Sequence, residues 1–198
     1  MRDIIVIENA VDLEKQNTIK DLCMSAEFPW FYHATTVYKE SAMDSLSFTE
    51  EFLENTLDTP LFAHVLWLNY GRNSGHADMF FPIVDAIPFK IVRLERLKIN
   101  LTLPHTMGTT NTRSIAHTDL SFLKSGYYTA IYYVNDSDGD TFIYNERVGH
   151  TGKLTVKQRI SPKQGRMVVF DGGLLHSGNN PINTKARLTV NINVLVDS

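Results

Sequence analysis

"ARLTVNINVLV", residues 186–196, alternates polar and apolar side chains along its length. Side chains of a β-strand point alternately to opposite faces, so Arg187, Thr189, Asn191 and Asn193 share one face. Leu188, Val190, Ile192 and Val194 share the other. The same period of two begins upstream in "LKINLTL", Leu97 to Leu103, and turn residues then separate "GYYTAIYYVND", "TFIYN", "KLTVKQ" and "GRMVVFD". So many short strands after a helical N-terminal third predict a mainly β (α+β) fold. Its form is a double-stranded β-helix, or jelly roll, with N-terminal helices packed on one sheet.

Upstream the spacing is helical. In "NAVDLEKQNTIKDLCMSAEF", Ile19, Leu22, Cys23 and Ala26 recur at helical intervals and the pattern stops before Pro29. "SFTEEFLENTL" opens with Ser47 followed three residues later by Glu50, a capping-box pattern. "TPLFAHVLWLNYG" offers Thr59 as N-cap with Pro60 in the first turn, predicting a further helix that ends near Gly71. Residues 1–90 are thus expected to form a helical support and lid region and residues 91–198 the jelly-roll core, within one domain spanning 1–198.

A chain of 198 residues, 43% hydrophobic, is long enough for one sizeable core. Its net charge of −3 without a basic cluster disfavours nucleic acid as a partner. The single cysteine, Cys23, allows no internal disulfide, and "MRDIIVIENAV" is too short an apolar run for a signal or membrane segment. A cytoplasmic protein without a membrane partner is expected; its oligomeric state is not encoded legibly.

The chemistry-bearing residues converge on the β-rich half. In "SIAHTDLSF", His117 and Asp119 stand two apart, which on a strand places both on one face. A second such pair, His76 and Asp78 in "GHADMF", follows a helix end and lacks any strand pattern, so it reads as a polar pair on the surface or a histidine satisfied by its neighbour. His176 follows in "VVFDGGLLHSG", and after ten intervening residues come Arg187 and, two further on, Thr189. Two histidines and one carboxylate are the facial triad of non-haem Fe(II) oxygenases, which leaves open positions on the metal. A guanidinium fork suits bidentate capture of a carboxylate, and a hydroxyl two residues on adds a hydrogen bond.

Residues 95–196 resemble the Fe(II)/2-oxoglutarate-dependent dioxygenase superfamily, and within it the prolyl-4-hydroxylase-like branch that includes short phage proteins. "TAIYYVND" followed by "DGDTFIYNE" is similar to that family's Ile-Tyr-Tyr strand and the turn after it. The resemblance implies His117, Asp119 and His176 as iron ligands and catalytic centre, Arg187 as the 2-oxoglutarate clamp, Thr189 as its assistant and Tyr133 as a second contact to the distal carboxylate. It further implies Fe(II), 2-oxoglutarate and O₂, leaves room for ascorbate, and points to C–H hydroxylation of a small-molecule or peptide substrate with release of succinate and CO₂. Prolyl 4-hydroxylation is one such reaction. Two departures stand out: "TMGTTNTRSIAHTD" lacks the tyrosines many prolyl hydroxylases carry before His-x-Asp, and the collagen-type enzymes have Lys at the position of Arg187.

The alternatives are a cupin-like metal-dependent enzyme that does not use 2-oxoglutarate, and a non-catalytic jelly-roll binding protein. His105 and Arg113 in "LPHTMGTTNTRS", and Trp30 and Tyr32 in "FPWFYHATTVY", are expected substrate contacts on candidate lids. His64 is expected to be a buried, hydrogen-bonded imidazole and Cys23 a small core residue.

Overall fold

The computed structural model describes residues 4–35, 56, 59–105, 112–120, 125–150 and 152–197. These form two antiparallel sheets. The strands are β1 (Ile4–Ile7), β2 (Phe31–His33), β3 (Leu61–Leu68), β4 (Gly71–Arg72), β5 (Ile91–Thr102), β6 (Tyr127–Tyr133), β7 (Thr141–Arg147), β8 (Val156–Ile160), β9 (Met167–Asp171), β10 (Leu174–Gly178) and β11 (Arg187–Val196). The larger sheet runs β1-β9-β6-β11-β5-β3-β2, with β4 pairing β3, and the smaller runs β10-β7-β8. This is the expected jelly roll.

Alternation decides what each face of the larger sheet covers. Leu188, Val190, Ile192 and Val194 of β11 join Leu97 and Ile99 of β5, Ala130 and Tyr132 of β6, and Met167 and Val169 of β9 in one buried cluster. Helix α1 (Leu13–Met24) adds Ile19 and Cys23 to that cluster, and a 3-10 turn (Ala77–Phe80) with helix α2 (Phe81–Asp85) adds Phe80 and Ile83. Helices therefore cover one face of one sheet. The opposite face carries Ile131 and Tyr133 of β6 and Val168 and Phe170 of β9, packed on Ile143, Ile160 and Leu174 inside the roll.

The capping residue of α1 is Asp12, whose carboxylate accepts from Lys15 N at 2.9 Å, and the helix ends at Met24, before Ala26. The capping-box stretch at Ser47 and Glu50 lies outside the described residues. A larger difference concerns residues 61–68. The expected helix is instead strand β3, paired antiparallel to β5 from Phe62↔Leu101 to Leu68↔Arg96. A continuous apolar run has no period that separates helix from strand, and its Val and aromatic content suits a pleated surface. Thr59 caps nothing and instead donates from Oγ1 to Asn180 Oδ1 at 3.0 Å. Gly71 does not end a helix either. Asn69 (φ 51°) and Tyr70 (φ 66°) form a two-residue hairpin from β3 into β4, the positive-φ pair that a type I′ turn demands. The described residues of the N-terminal 90 thus contribute β1 to β4 to the larger sheet, and the stretch expected to be a helix ending near Gly71 is strand. Among the described residues no helix is long and apolar enough to cross a membrane.

Candidate functional site

The small sheet holds one of the histidines, and a segment bridged to its edge holds another. His176 sits in β10 opposite Ile143 of β7. The segment 114–117 lies along the free side of β10: Ser114 N donates to Gly178 O at 2.8 Å, and His117 and His176 exchange backbone N–H···O bonds of 3.0 Å each way. The stretch around His117 was expected to be a strand, but only this single bridge forms and Asp119 lies in a bend. That bend, rather than strand alternation, brings the carboxylate to the histidines.

The three side chains converge. Their ligand atoms all lie within 4.8 Å of one another. His117 Nε2 is 4.0 Å from Asp119 Oδ1 and His176 Nε2 is 3.9 Å from Asp119 Oδ2, too far for hydrogen bonds. His117 Nδ1 lies 2.9 Å from the Ile115 carbonyl, which can only accept, so Nδ1 carries the proton and the Nε2 lone pair faces the carboxylate. Such an outer partner fixes the tautomer of a metal-ligating histidine. His176 is only 3% exposed, yet its Nε2 meets no partner among the described residues. An unsatisfied buried nitrogen facing a second imidazole and a carboxylate suits a divalent ion. These residues fit an iron centre.

Two residues the sequence reading missed hold Asp119 in place. Arg96 Nη2 contacts Oδ1 at 2.6 Å, Asn193 Nδ2 donates to Oδ2 at 3.0 Å, and Arg96 Nε donates to Asn193 Oδ1 at 3.0 Å. Their cross-strand pairing, Asn193↔Arg96, makes the triangle possible. Asn193 was legible as a neighbour of Arg187 on one face, but no local signal paired it with residue 96. Burial opposes ionisation of Asp119, yet Arg96, His176 and His117 outweigh it and hold the carboxyl below its usual range.

Burial, then repulsion from His117, presses His176 down to about 4 from 6.5. Between those values the unfolded chain binds more protons than the folded one, so stability falls as pH falls. The metal-free protein should therefore show a denaturation midpoint that declines from pH 6.5 towards 4, and His176→Ala should flatten that slope; urea titrations across the range check it.

The polar face of β11 is buried. Arg187 is 8% exposed and Thr189 1%. Arg187 Nε donates to Gly139 O at 2.6 Å and Nη2 to Thr141 Oγ1 at 2.7 Å. Thr141 also accepts from Tyr133 OH at 2.8 Å, and the guanidinium carbon lies 5.9 Å from the Tyr133 ring centroid. Thr189 pairs with Tyr133 across β6. Arg187, Thr189 and Tyr133 are thus brought together, with Thr141 and Gly139 as additions that sequence reading missed. Burial raises the Tyr133 phenol to about 12, so it stays a neutral donor.

Gly139 is required sterically. A Cβ there would lie 2.6 Å from Asn179 O and 2.8 Å from Arg187 Cδ. Gly139→Ala should cost about 1–3 kcal/mol by overpacking. Thermal unfolding should fall by about 2–4 °C for each kcal/mol, read in a thermal melt.

The remaining expected residues divide. Arg113 stacks on the Phe142 ring at 4.2 Å, with Nη1 3.5 Å from Tyr144 OH. Trp30 does not reach the site: its Nε1 donates to Cys23 O at 3.2 Å, and its ring packs edge-on against Phe28. Tyr32 is exposed beside Phe62, and the strands place it away from the triad. His64 is buried with Nδ1 2.6 Å from Pro29 O, and Cys23 is buried in the core, its thiol pushed up to about 12 by desolvation. The His76 and Asp78 pair is structural, Asp78 receiving both Arg72 amines at 2.5 and 2.6 Å.

No protein-family model matches the chain, and no curated protein matches it in sequence. Solved structures do match in fold. A 2OG-Fe(II) oxygenase family oxidoreductase from Burkholderia pseudomallei superposes with TM-score 0.64 at 12% identity, covering 97% of this chain and 85% of that one. A prolyl hydroxylase from Trichoplax adhaerens, in complex with a hypoxia inducible factor peptide fragment, gives 0.60 at 11% identity over 99% and 84% of the two chains. The α-ketoglutarate-dependent epimerase SnoN of nogalamycin biosynthesis gives 0.62 at 10% identity, covering 98% and 78%. At these identities the likeness is one of fold.

Proposed function

We propose that the chain, residues 1–198 acting as one domain, is an Fe(II)- and 2-oxoglutarate-dependent dioxygenase that hydroxylates a C–H bond of a small-molecule or peptide substrate, releasing succinate and CO₂. The observation that carries this is the convergence of His117, Asp119 and His176 around an imidazole nitrogen that has no partner among the described residues, with a buried Arg187 on the strand that also holds Asp119 through Asn193. The fold shared with 2OG-Fe(II) oxygenases supports the reading.

Within it each side chain has a task. His117, Asp119 and His176 bind the metal on one face. Arg96 and Asn193 orient the carboxylate, and the Ile115 carbonyl orients His117. Arg187 binds the distal carboxylate of 2-oxoglutarate, while Tyr133 and Thr141 fix the guanidinium and exclude water. The metal and cosubstrate, when bound, supply O₂ activation and oxidative decarboxylation. Peptidyl proline is one substrate compatible with the jelly-roll likeness to prolyl hydroxylases. An anaerobic titration tests the proposal: Fe(II) followed by 2-oxoglutarate should produce a visible charge-transfer band that neither gives alone. A well-folded protein without the band is not a dioxygenase of this class.

A further inference from the structure

The inner face of the larger sheet continues past the triad, on the side away from Arg187. Asn193 of β11, which holds Asp119, lies between Arg96 of β5 and Thr129 of β6. In the dioxygenase reading the cosubstrate fills the inner face from this rung towards Arg187. Two residues the other way, roughly 7 Å along the strands, Leu195 lies between Arg93 and Tyr127. That rung is left for the substrate.

Glu95 reaches the same face through an irregularity of pairing. Asn193 pairs with Arg96 but Val194 with Leu94, so Glu95 has no partner on β11, and such a bulge re-aims its side chain. Arg93 Nε donates to Glu95 Oε1 at 2.6 Å and Arg93 Nη2 to Tyr127 OH at 2.9 Å, while the guanidinium carbon lies 5.0 Å from the Tyr70 ring centroid. Three contacts thus fix the guanidinium. Glu95 is only 6% exposed, yet the bond from Arg93 is the one it makes among the described residues, which leaves Oε2 without a donor. A carboxylate accepts at both oxygens, and leaving a buried one short of donors is costly. Arg93, its side chain 39% exposed, has no acceptor for Nη1 among those residues. Leu68, which pairs with Arg96, and Tyr70 in the turn that follows are both exposed and supply an apolar wall. The charges of Arg93 and Glu95 cancel, so an open acceptor beside an open donor matches a neutral group that carries a C=O next to an N–H.

We propose that Glu95 and Arg93 form the substrate subsite and recognise an amide, whose N–H donates to Glu95 Oε2 and whose carbonyl accepts from Arg93 Nη1, with Leu68 and Tyr70 against the flanking apolar atoms. This rests on the dioxygenase reading for its reaction, but not for its binding chemistry. A substrate anchored one rung from Asp119 presents a C–H bond only a few atoms from its amide. A peptide bond and the primary carboxamide of a small molecule share this chemistry.

Anaerobic calorimetry on the protein loaded with Fe(II) and 2-oxoglutarate tests it. The probes are the N-acetyl N-methylamides of the proteinogenic amino acids and simple aliphatic and aromatic primary carboxamides. Each is paired with its fully N-methylated counterpart, which keeps the carbonyl and loses every amide N–H. At least one amide should bind about tenfold or more tighter than its counterpart, since a hydrogen bond to a charged acceptor is lost. Preference confined to the blocked amino acids identifies a peptide as the source, and preference confined to the primary carboxamides a small molecule. Glu95→Leu should erase the preference, and Glu95→Gln, whose neutral carbonyl accepts more weakly, should keep part of it. A preference set by the bulk of the added methyl groups survives undiminished in both variants and overturns the proposal, as does a wild type that binds no amide tighter than its counterpart. Loss of the charge-transfer band with 2-oxoglutarate in Glu95→Gln also overturns it, because Glu95 then serves the metal or the cosubstrate. Absence of the band in the wild type instead removes the dioxygenase reading, and the same titrations on the metal-free protein then decide the amide site by themselves.

Discussion

His176→Ala should abolish the visible band produced by Fe(II) with 2-oxoglutarate and lower succinate formation at least about 100-fold, because even outer partners of a metal ligand are worth about 10- to 100-fold. The fold should persist. The bonds that tie residue 176 to residue 117 are both backbone bonds, so removing the imidazole leaves the bridge in place. What is lost is a buried ring whose Nε2 has no hydrogen-bond partner among the described residues and whose edge rests on Phe170, 5.2 Å between centroids. Circular dichroism and unfolding midpoint should stay near wild type at neutral pH. His76→Ala is the matched control. That ring packs against Phe28 and His64, at 5.4 and 6.0 Å, far from the triad's elements, so its loss should leave band and turnover unchanged. Full turnover by His176→Ala removes the triad assignment; equal loss in both variants indicates damage to the fold.

Legibility followed the range of the interactions. The β11 alternation is local, and it correctly separated a polar from an apolar face. The next step was not local: the polar face reads equally as solvent-exposed, and its burial depends on β7 and β10 closing over it from elsewhere in the chain. β3 shows the opposite failure. Its sequence carries helix-start signals at Thr59 and Pro60, and only pairing with β5, some 35 residues on, selects the strand. Tertiary context overrides propensity there. His117 and Asp119 were read as strand neighbours and are not, yet they still meet, because the bend at 119 and the Arg96 and Asn193 contacts achieve what alternation would have. Cross-strand partners such as Arg96, Asn193 and Thr141 left no local trace, since register is a property of two segments.

Arg187→Met should weaken 2-oxoglutarate binding about 100-fold, near 2.7 kcal/mol, with Fe(II) affinity unchanged and little net loss of stability. Three observations set these signs. Arg187 is buried without an ion-pair partner among the described residues, the neighbouring Asp140 being paired with Arg159. Burying an uncompensated cation is costly, so the folded protein carries that cost until a carboxylate arrives. Burial accordingly lowers the Arg187 pKa, against the favourable fields of Tyr133 and Asp140. Methionine removes the charge together with the bonds to Gly139 O and Thr141 Oγ1, a loss of about 1–3 kcal/mol that relief of the desolvation offsets. The guanidinium packs against Gly178, whose Cβ position would lie 3.4 Å from Nη2, and the unbranched thioether can fill most of the volume the arginine vacates. A clamp poised for an absent anion and a purely structural arginine thus give opposite patterns. The clamp loses cosubstrate affinity at nearly constant unfolding midpoint, whereas the structural arginine loses midpoint and both affinities together. Calorimetry with 2-oxoglutarate beside a thermal melt of the same sample separates them, and a steep fall in midpoint with iron and cosubstrate lost equally removes Arg187 from the site.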